Sequence, residues 1–285
     1  MLVAVTDAPA AAPAAESLAG STHADDLALA LDIAAAAGKL VMERYERIER
    51  IDYKSARDVV TEVDHLSEEL IIGAIHARHP GDGIMAEESG AQSTASGDEA
   101  ASGHGRVWVI DPIDGTINYA NGIPVFCVSI ALVIDGRPAV GVVLDPTRQD
   151  FFAATADGPA TLNGSPIAAS DKEALTDFVV SAALSGRSVA TRGRNLAKAI
   201  RISRSMGSAA LGLAYVANGR FDAFVQQGGL SNWDVAAAGL IAERAGATVT
   251  DAAGGPYFDI GRPARSVGVL AAPHAHHARM LELIR

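Results

Sequence analysis

The stretch that most constrains the fold of this chain is Val-Trp-Val-Ile-Asp-Pro-Ile-Asp-Gly-Thr at residues 107–116. The apolar run at its start predicts a buried strand that ends at Asp111. Pro112 fixes its own φ and disfavours the helical conformation at Asp111, so a sharp turn is predicted there, and Gly115 permits close backbone approach. The carboxylates of Asp111 and Asp114 are costly at a strand end unless they stay solvated, pair or bind a cation. The alternative is an ordinary turn capped by aspartate.

Length and hydrophobic patterning predict either two lobes or one large α/β unit. The 285 residues exceed one typical domain, and 49% of them are apolar. We expect a disordered Ala/Pro-rich tail at residues 1–22, an N-terminal α+β lobe at residues 23–155 and a C-terminal α/β lobe at residues 156–285. Strands alternate with helices in the second half, where a weak helix is predicted at about residues 192–203. The expected fold class is α/β (α+β), with sheets covered by helices.

Charge and cysteine usage narrow the class of protein. The formal net charge is -11, and the isoelectric point is near 5.1. This balance disfavours a nucleic-acid partner, although it does not exclude phosphate substrates, because a bound metal inverts the local charge. The single cysteine, Cys127, excludes an intramolecular disulfide and suits a reducing compartment. No apolar run reaches membrane-spanning length. We therefore predict a cytoplasmic protein without a membrane or nucleic-acid partner.

Five acidic residues share one property, which is that each ends or flanks a predicted helix or strand: Asp64, Glu87, Asp111, Asp114 and Asp234. Hard divalent cations such as Mg²⁺ take oxygen ligands, which proteins gather from the ends of several elements. No histidine or cysteine spacing suggests zinc. Each acid by itself is also compatible with a cap or a solvated position, and Asp234 stands at a predicted helix start, where acids are favoured.

Several segments, in this order, resemble the signature segments of the inositol monophosphatase family of Mg²⁺-dependent, lithium-sensitive phosphatases. They are the acidic motif at residues 58–64, Glu-Glu-Ser at residues 87–89, residues 108–116, and Trp-Asp-Val-Ala-Ala at residues 233–237. The resemblance covers roughly residues 24–285. It implies a layered αβαβα sugar-phosphatase sandwich and a homodimer. It also implies a metal site carried by the first lobe and substrate specificity carried by the second.

The resemblance implies two or three Mg²⁺ ions in each active site. Glu87, Asp111 and the carbonyl of Ile113 would hold the first ion. Asp111, Asp114 and Asp234 would hold the second, with Asp111 bridging, and Asp64 would help to hold a third, weaker ion near Glu87. Two ions about 3.5–4 Å apart clamp the attacking and leaving oxygens of an in-line displacement.

The same resemblance implies which residues act on water and phosphate. Thr116 and Asp64 would orient and deprotonate the attacking water, and Glu87 would take part in catalysis through the first metal. The backbone N–H groups of Gly115 and Thr116, at the start of a short helix, would cradle the phosphate. A plain helix cap remains the alternative for Thr116.

Substrate contacts are expected from the second lobe. The segment at residues 206–210 resembles a sugar-contacting turn, in which Gly207 and Ser208 would reach hydroxyls, but a Gly-Ser pair also simply starts a helix. Gln227 stands seven residues before Asp234, where many inositol phosphatases carry a glutamate, and Asp234 itself would face the substrate. The basic residues between 187 and 204 form either a solvated helix face or a patch for a second anionic group.

The function expected from the resemblance is hydrolysis of a small phosphomonoester, with inositol 1-phosphate as the leading substrate. Histidinol phosphate, fructose 1,6-bisphosphate and a 3′-phosphonucleotide are the alternatives within the same chemistry. A non-catalytic regulatory or RNA-associated member of the family is the alternative from another class. The presence of all five acids and of Thr116 disfavours that last alternative.

Overall fold

The computed structural model describes residues 20–47, 51–55, 58–92, 105–184 and 189–285, so most of the predicted tail at residues 1–22 lies outside the described part. The helices are α1 (Ala24–Arg44), α2 (Glu62–Arg78), α3 (Thr116–Ala120), α4 (Val189–Ala199), α5 (Ala209–Ala217), α6 (Asn232–Arg244) and α7 (His274–Ile284). The first-half strands are β1 (Ile51–Ser55), β2 (Asp58–Thr61), β3 (Gly83–Ala86), β4 (Gly90–Gln92), β5 (Arg106–Asp114), β6 (Cys127–Ile134), β7 (Arg137–Asp145), β8 (Asp150–Thr155), β9 (Thr161–Leu162) and β10 (Ser165–Pro166). The later strands are β11 (Val179–Ala183), β12 (Ile202–Arg204), β13 (Ala223–Leu230), β14 (Ala247–Asp251) and β15 (Val267–Pro273).

Two mixed sheets organise these strands, and β1 and β2 form a separate antiparallel pair. The first sheet has eight strands in the order β10-β9-β8-β7-β6-β5-β3-β4, and only its β3–β5 pair is parallel among the strands described. The second has five strands in the order β12-β11-β13-β15-β14, with β12, β11 and β13 parallel. The first sheet continues to Pro166, beyond the lobe boundary predicted at residue 155.

The two sheets and their helices form five layers. Helices α1 and α2 cover one face of the first sheet, and α5 and α6 fill the space between the two sheets. Helices α4 and α7 cover the outer face of the second sheet. Because each sheet is apolar on both faces, it requires a helical layer on each side. The predicted layered αβαβα class is confirmed.

Strand β6 shows how the sequence specifies a central strand of this sandwich. Its side chains alternate between two cores, with Ala131 and Val133 facing the middle helices and Ile130 and Leu132 facing α1 and α2. Successive side chains of a strand point to opposite faces, so a strand that is apolar at every position is buried on both faces. The hairpin between β6 and β7 turns at Asp135 and Gly136, both with positive φ, as a two-residue primed turn requires.

Gly141 in β7 allows the middle helical layer to approach the first sheet closely. A Cβ at this position would lie 2.7 Å from the carbonyl oxygen and 3.0 Å from the Cα of Ala237, which lies in α6. Both contacts are with backbone, so no side-chain rotation would relieve them. Helix α6 also carries Asp234, and Gly141 therefore contributes to the depth at which that acid is placed.

The Gly141→Ala variant is expected to lose about 1–3 kcal/mol of unfolding free energy, because the added methyl must push helix α6 away from the sheet. Gly73→Ala provides the matched control, since Gly73 lies in α2 with open space around its Cα. That substitution is expected to stabilise the protein by up to about 1 kcal/mol, the helix-propensity difference. Urea titration of both variants measures the contrast. Equal stabilities of the two variants would contradict the close approach.

The region after β11 differs from the prediction. The helix expected at about residues 192–203 ends at Ala199, and Ile202–Arg204 forms the edge strand β12, paired with β11. The β-branched Ile202 and its neighbours are exposed on this edge, so the sequence lacks the alternation that marks a buried strand.

Within the described ranges, none of the helices has the length and apolar character needed to cross a bilayer.

Candidate active site

The predicted turn at Pro112 is in fact a bulge within strand β5. Register with β6 runs from Asp111 opposite Ser129 to Asp114 opposite Cys127, so β5 has one residue more than its partner here. Residues three apart in a regular strand point to opposite faces, and the extra residue brings them to the same face. The bulge thereby places Asp111 and Asp114 together. Pro112 is tolerated because a bulge frees its backbone from the ladder.

Glu87 reaches the same edge of the first sheet from a parallel neighbour. It follows β3, and its backbone N–H donates to the carbonyl of Ile110 at 3.2 Å. The carboxyl ends of β3 and β5 therefore meet, with Glu87 beside Asp111. A turn follows Glu87, and the buried Glu68 of α2 stabilises it. The Glu68 carboxylate accepts hydrogen bonds from the backbone N–H groups of Glu88 and Ser89 at 2.8 Å each.

We expect Glu68→Ala to destabilise the protein by about 2–4 kcal/mol, because two hydrogen bonds to a charged group are lost in a buried setting. The resemblance implies that Glu87 holds a cation, so the variant should also need a higher Mg²⁺ concentration to reach half of the thermal stabilisation that the ion gives. The control is Glu69→Ala, the exposed next residue of the same helix, with an expected change within about 0.5 kcal/mol. Thermal unfolding over a Mg²⁺ titration measures both effects, and a Glu68 variant that matches the control would disprove the positioning role.

Asp234 enters the site from the middle helical layer. It is the third residue of α6, and its Oδ2 accepts the backbone N–H of Ser231 at 2.6 Å, the reciprocal half of a capping box. Asp234 therefore does cap the start of helix α6, as the alternative interpretation of this acid predicted. The cap uses one carboxylate oxygen, while candidate ligand atoms of Asp111, Asp114 and Asp234 all lie within 4.8 Å of one another.

The three carboxyl groups are in an environment that disfavours their charges. Burial raises the pKa of Asp111 well above its usual range, and the charges of Glu87, Asp114 and Asp234 raise it further. Burial and the charge of Asp114 likewise raise the pKa of Asp234. Such a set of buried, mutually repelling oxygens fits a divalent cation, which would neutralise them and occupy their lone pairs. The cluster is consistent with the divalent-metal site that the sequence predicted.

Asp114 also ties this edge to the second half of the chain. Its Oδ2 accepts the hydroxyl of Ser208 at 2.6 Å and the backbone N–H of Ala210 at 2.7 Å, at the start of α5. Burial raises the pKa of Asp114, and these hydrogen bonds oppose that shift. Ser208 thus both begins the helix and orients an acid of the cluster, so its hydroxyl proton is directed at Asp114.

Asp64 and Thr116 form a hydrogen-bonded pair next to the cluster. The Thr116 hydroxyl lies 3.1 Å from Oδ1 of Asp64 and 3.0 Å from the Ile113 carbonyl, and its single proton serves one acceptor at a time. Oδ2 of Asp64 accepts both the backbone N–H and the hydroxyl of Thr61, at 2.8 and 2.6 Å. Burial raises the pKa of Asp64 to about 6, against these hydrogen bonds. A carboxylate of this kind is suited to accept a proton near neutral pH.

Ile113 divides its groups between the core and the site. Its side chain is buried in the core beneath α1 and α2, and its carbonyl faces the Thr116 hydroxyl. Gly115, two residues further along the chain, has a φ of 97° and precedes the short helix α3. A Cβ on Gly115 would lie 3.3 Å from the carbonyl of Gly207, whose own φ is 79. Two glycines therefore bring the loops of both halves into contact.

A cavity of about 330 Å³ opens beside the acids. Its lining combines Glu87, Asp114 and Asp234 with residues of the second half. The polar members of that half are Ser181, Ser205, Ser208, Gln226, Ser231 and Arg265, and the larger apolar members are Met206, Phe224, Leu230 and Trp233. A volume of this size is at the lower end of the range for ligand sites.

The glutamine that lines the cavity is Gln226, one position earlier than predicted. Strand β13 alternates, with Phe224 and Gln226 towards the cavity and Val225 towards α7. Gln227 points to the same face of the strand as Val225, and its side-chain amide donates to the carbonyl of Ile284 at 2.5 Å. The structure thus brings Gln226 to the cavity in place of Gln227, because the strand period, which motif spacing does not include, directs Gln227 to the other face.

Arg265 is a cavity residue that the sequence did not reveal. It lies in the loop between β14 and β15, within a Gly/Pro-containing segment that looks like ordinary surface. The basic residues 187–204 were predicted as a patch or a solvated face. Of their described part, none lines the cavity, and Arg201 instead pairs with Asp177. A single arginine in a loop carries no periodic or motif signal.

Several known proteins are similar to this chain in sequence and in architecture. The chain is 39% identical over 244 residues to the Nus factor SuhB of Pseudomonas aeruginosa, covering 81% of this chain and 87% of the relative. It is 36% identical over 235 residues to an inositol monophosphatase of Dictyostelium discoideum, covering 79% and 84%. The structure of the extragenic suppressor protein suhB from Bartonella henselae superposes with a TM-score of 0.83 at 28% identity, covering 92% of this chain and 98% of that one. A model of the family matches residues 24–285, and the chain belongs to the inositol monophosphatase family.

Proposed function

We propose that this protein is a Mg²⁺-dependent phosphomonoesterase and that inositol 1-phosphate is its leading substrate. The observation that carries the proposal is the buried cluster of Asp111, Asp114 and Asp234, set beside the Asp64–Thr116 pair. The first set fits divalent cations, and the second fits a proton acceptor for water. A closed structural metal site would not need the second pair.

Each acid has a proposed role toward the cations. Glu87, Asp111 and the Ile113 carbonyl would hold one ion, and Asp111, Asp114 and Asp234 a second, with Asp64 near a third. Bound Mg²⁺ would supply positive charge to the phosphate oxygens and acidify water. The protein contributes fixed ligand positions, set by the β5 bulge and the caps of α2 and α6.

Thr116 would receive a hydrogen bond from the attacking water and donate its own proton to Asp64. Oδ2 of Asp64 is engaged by Thr61, so Oδ1 remains directed at Thr116. With a pKa of about 6, Asp64 is mostly ionised at neutral pH and able to take the proton. The N–H groups of Gly115 and Thr116 would bind the phosphate.

The alcohol half of the substrate would occupy the cavity. Its hydroxyls would meet the side chains of Ser181, Ser205 and Gln226 and the backbone of Gly207, all of which line that space. Gln226 takes the part that was predicted for Gln227. Ser208 would act indirectly, by orienting Asp114.

The direct test is phosphate release by the purified full chain from inositol 1-phosphate, histidinol phosphate, fructose 1,6-bisphosphate and a 3′-phosphonucleotide. We expect release in Mg²⁺ that EDTA abolishes and that lithium weakens. Preference for another ester would keep the metal chemistry and change the substrate. No release from any of the esters would overturn the proposal.

A role shared with Nus factors is the second candidate, because the identity to a relative of that name is 39%, against 36% for the inositol monophosphatase. Such a role needs a protein or RNA surface and does not need turnover. It would survive Asp111→Asn, whereas phosphatase activity would not. A homodimer, lithium inhibition and a cytoplasmic location stay predictions.

A further inference from the structure

The start of helix α6 is attached to the first sheet by a short buried side chain. The Ser129 hydroxyl of β6 donates a hydrogen bond to the backbone carbonyl of Trp233 at 3.3 Å, and Ser129 is only 1% exposed. Trp233 immediately precedes Asp234 in the first turn of α6. Because the acceptor is a main-chain atom, this hydrogen bond holds the helix itself and not only a side chain.

Ser129 also lies directly beside Asp111. The two residues face each other in the ladder between β5 and β6. Directly opposite residues of an antiparallel pair project to the same face of the sheet, and their Cα atoms lie about 4.5–5.5 Å apart. This face is the one that the middle helices cover, since Val109 and Ala131 of the same two strands belong to that core. Ser129 therefore connects the strand that carries Asp111 to the helix that carries Asp234.

The carboxylate of Asp234 follows the position of the helix start. Its Oδ2 accepts the backbone N–H of Ser231 at 2.6 Å, so the side chain is tied to the same turn that Ser129 holds. The close approach of Gly141 to Ala237 fixes the helix at a second point, about one turn further along. These two contacts with the sheet define where the acid stands relative to β5.

The position of Asp234 relative to Asp111 decides which cation the acids would fit. Their candidate ligand atoms, together with that of Asp114, lie within 4.8 Å of one another. Mg²⁺ requires near-ideal octahedral geometry with oxygens at about 2.0–2.1 Å, whereas Ca²⁺ accepts irregular geometry at about 2.3–2.6 Å. A loss of the fixed ligand spacing therefore weakens Mg²⁺ binding more than Ca²⁺ binding. Groups that orient metal ligands typically change the affinity for the ion about 10–100-fold.

We propose that Ser129 is a positioning residue of the cation site, which holds Asp234 at the distance from Asp111 that Mg²⁺ requires and thereby sets a preference for Mg²⁺ over Ca²⁺. The inference rests on the proposed function, of which it uses the cation site and not the hydrolysis. Ser129 acts through the backbone of Trp233 and is not itself a ligand.

Cation binding by the metal-free full chain tests the inference without turnover. Mn²⁺ binding is followed by electron paramagnetic resonance, and the dissociation constants of Mg²⁺ and Ca²⁺ are measured by their displacement of Mn²⁺. Ser129→Ala is expected to raise the Mg²⁺ dissociation constant about tenfold or more, and the Ca²⁺ constant by a clearly smaller factor. Ser129→Thr keeps a hydroxyl at this position and should restore most of the wild-type preference.

Thr161→Val is the matched control. The Thr161 hydroxyl donates to the carbonyl of Ala153 at 3.3 Å, and Thr161 is also buried but lies in β9, three strands away from β6. Both Thr161→Val and Ser129→Ala remove one hydroxyl from a buried carbonyl, so both should lower the melting temperature in EDTA. Thr161→Val should leave the dissociation constants of both cations as in the wild type, which separates positioning of the acids from a general loss of stability.

The outcomes distinguish this inference from the proposed function. Unchanged cation dissociation constants in Ser129→Ala, or an equal rise for Mg²⁺ and Ca²⁺, would overturn the inference while the proposed function stands. A wild type that binds no divalent cation would overturn both. The expected change in Ser129→Ala, in a protein that hydrolyses none of the esters, would support the inference and overturn the phosphatase activity alone.

Discussion

Asp111→Asn is expected to lower kcat/KM for phosphomonoester hydrolysis by about a thousandfold or more. Asp111 faces Glu87, Asp114 and Asp234, and it is the acid proposed to bridge two cations. The substitution removes the negative charge and one of the two carboxylate oxygens that would hold the cations, and a loss of about 4 kcal/mol in transition-state stabilisation corresponds to this factor. Steady-state kinetics at saturating Mg²⁺ measures the change.

The same substitution should stabilise the metal-free protein, which separates loss of chemistry from loss of fold. The neutral amide replaces a buried carboxyl whose pKa is raised by burial and by the charges of Glu87, Asp114 and Asp234, so it removes their mutual repulsion. A higher melting temperature in EDTA, together with lost turnover, is the expected combination. Asp259→Asn, an exposed acid in the β14–β15 loop, is the matched control and should change neither quantity. Full activity in the Asp111 variant would disprove the mechanism.

The stabilisation of the wild type by Mg²⁺ should grow as the pH rises from about 5 to 8. Burial raises the pKa of Asp64 to about 6 and the pKa of Asp111 and Asp234 well above the usual range. A raised carboxyl pKa means that the folded state holds protons that the unfolded chain has already lost. The metal-free fold is therefore weakened as the pH rises from the unfolded pKa through the folded one.

The size of this effect follows from the shift of a single group. Raising the pKa of Asp64 from its usual value of 3.8 to about 6 costs about 3 kcal/mol of unfolding free energy once the pH exceeds the folded pKa. Below about pH 4 the penalty is absent, because both states are protonated. Mg²⁺ competes with protons for the carboxylates near it. The gain in unfolding free energy on Mg²⁺ binding is therefore largest at the pH values where the loss caused by the raised pKa is largest.

Thermal unfolding in Mg²⁺ and in EDTA, over a series of pH values, measures the difference. The Mg²⁺-induced shift should be small near pH 5 and several degrees larger at pH 8. In Asp111→Asn the pH dependence of this shift should be reduced. A shift that is constant over this range, or largest in acid, would show that the cluster does not bind the ion through these carboxylates.

The sequence is sufficient to place a residue where its position relative to a strand or helix end determines its location. Glu87 and Asp114 follow or end strands of one sheet, and Asp234 starts a helix, so their convergence follows from topology. The bulge at Pro112 was predicted as a turn instead. Both structures satisfy the restriction that proline imposes, and only pairing with β6 decides between them.

Other residues were placed wrongly or missed because long-range contacts decide them. Gln227 was assigned by its distance from Asp234, whereas the parity of β13 directs Gln226 to the cavity. Arg265 reaches the cavity through a loop that closes onto Ser231 from 34 residues away. No local pattern encodes such a closure. The family resemblance located the acids, and the fold was required to locate the remaining walls.

The contact of Asp114 with Ser208 and Ala210 has a consequence for the order in which the protein matures. During synthesis, the strand with Asp111 and Asp114 leaves the ribosome more than a hundred residues before Asp234. The early chain therefore also lacks Ser208 and Ala210, the two hydrogen-bond partners of Asp114 in α5 and at its start. The acids of the nascent first half lack the partner that completes the cluster. On the proposed function, metal capture would therefore be coupled to the docking of α5 and α6 between the sheets, and an incompletely folded chain would lack a complete site.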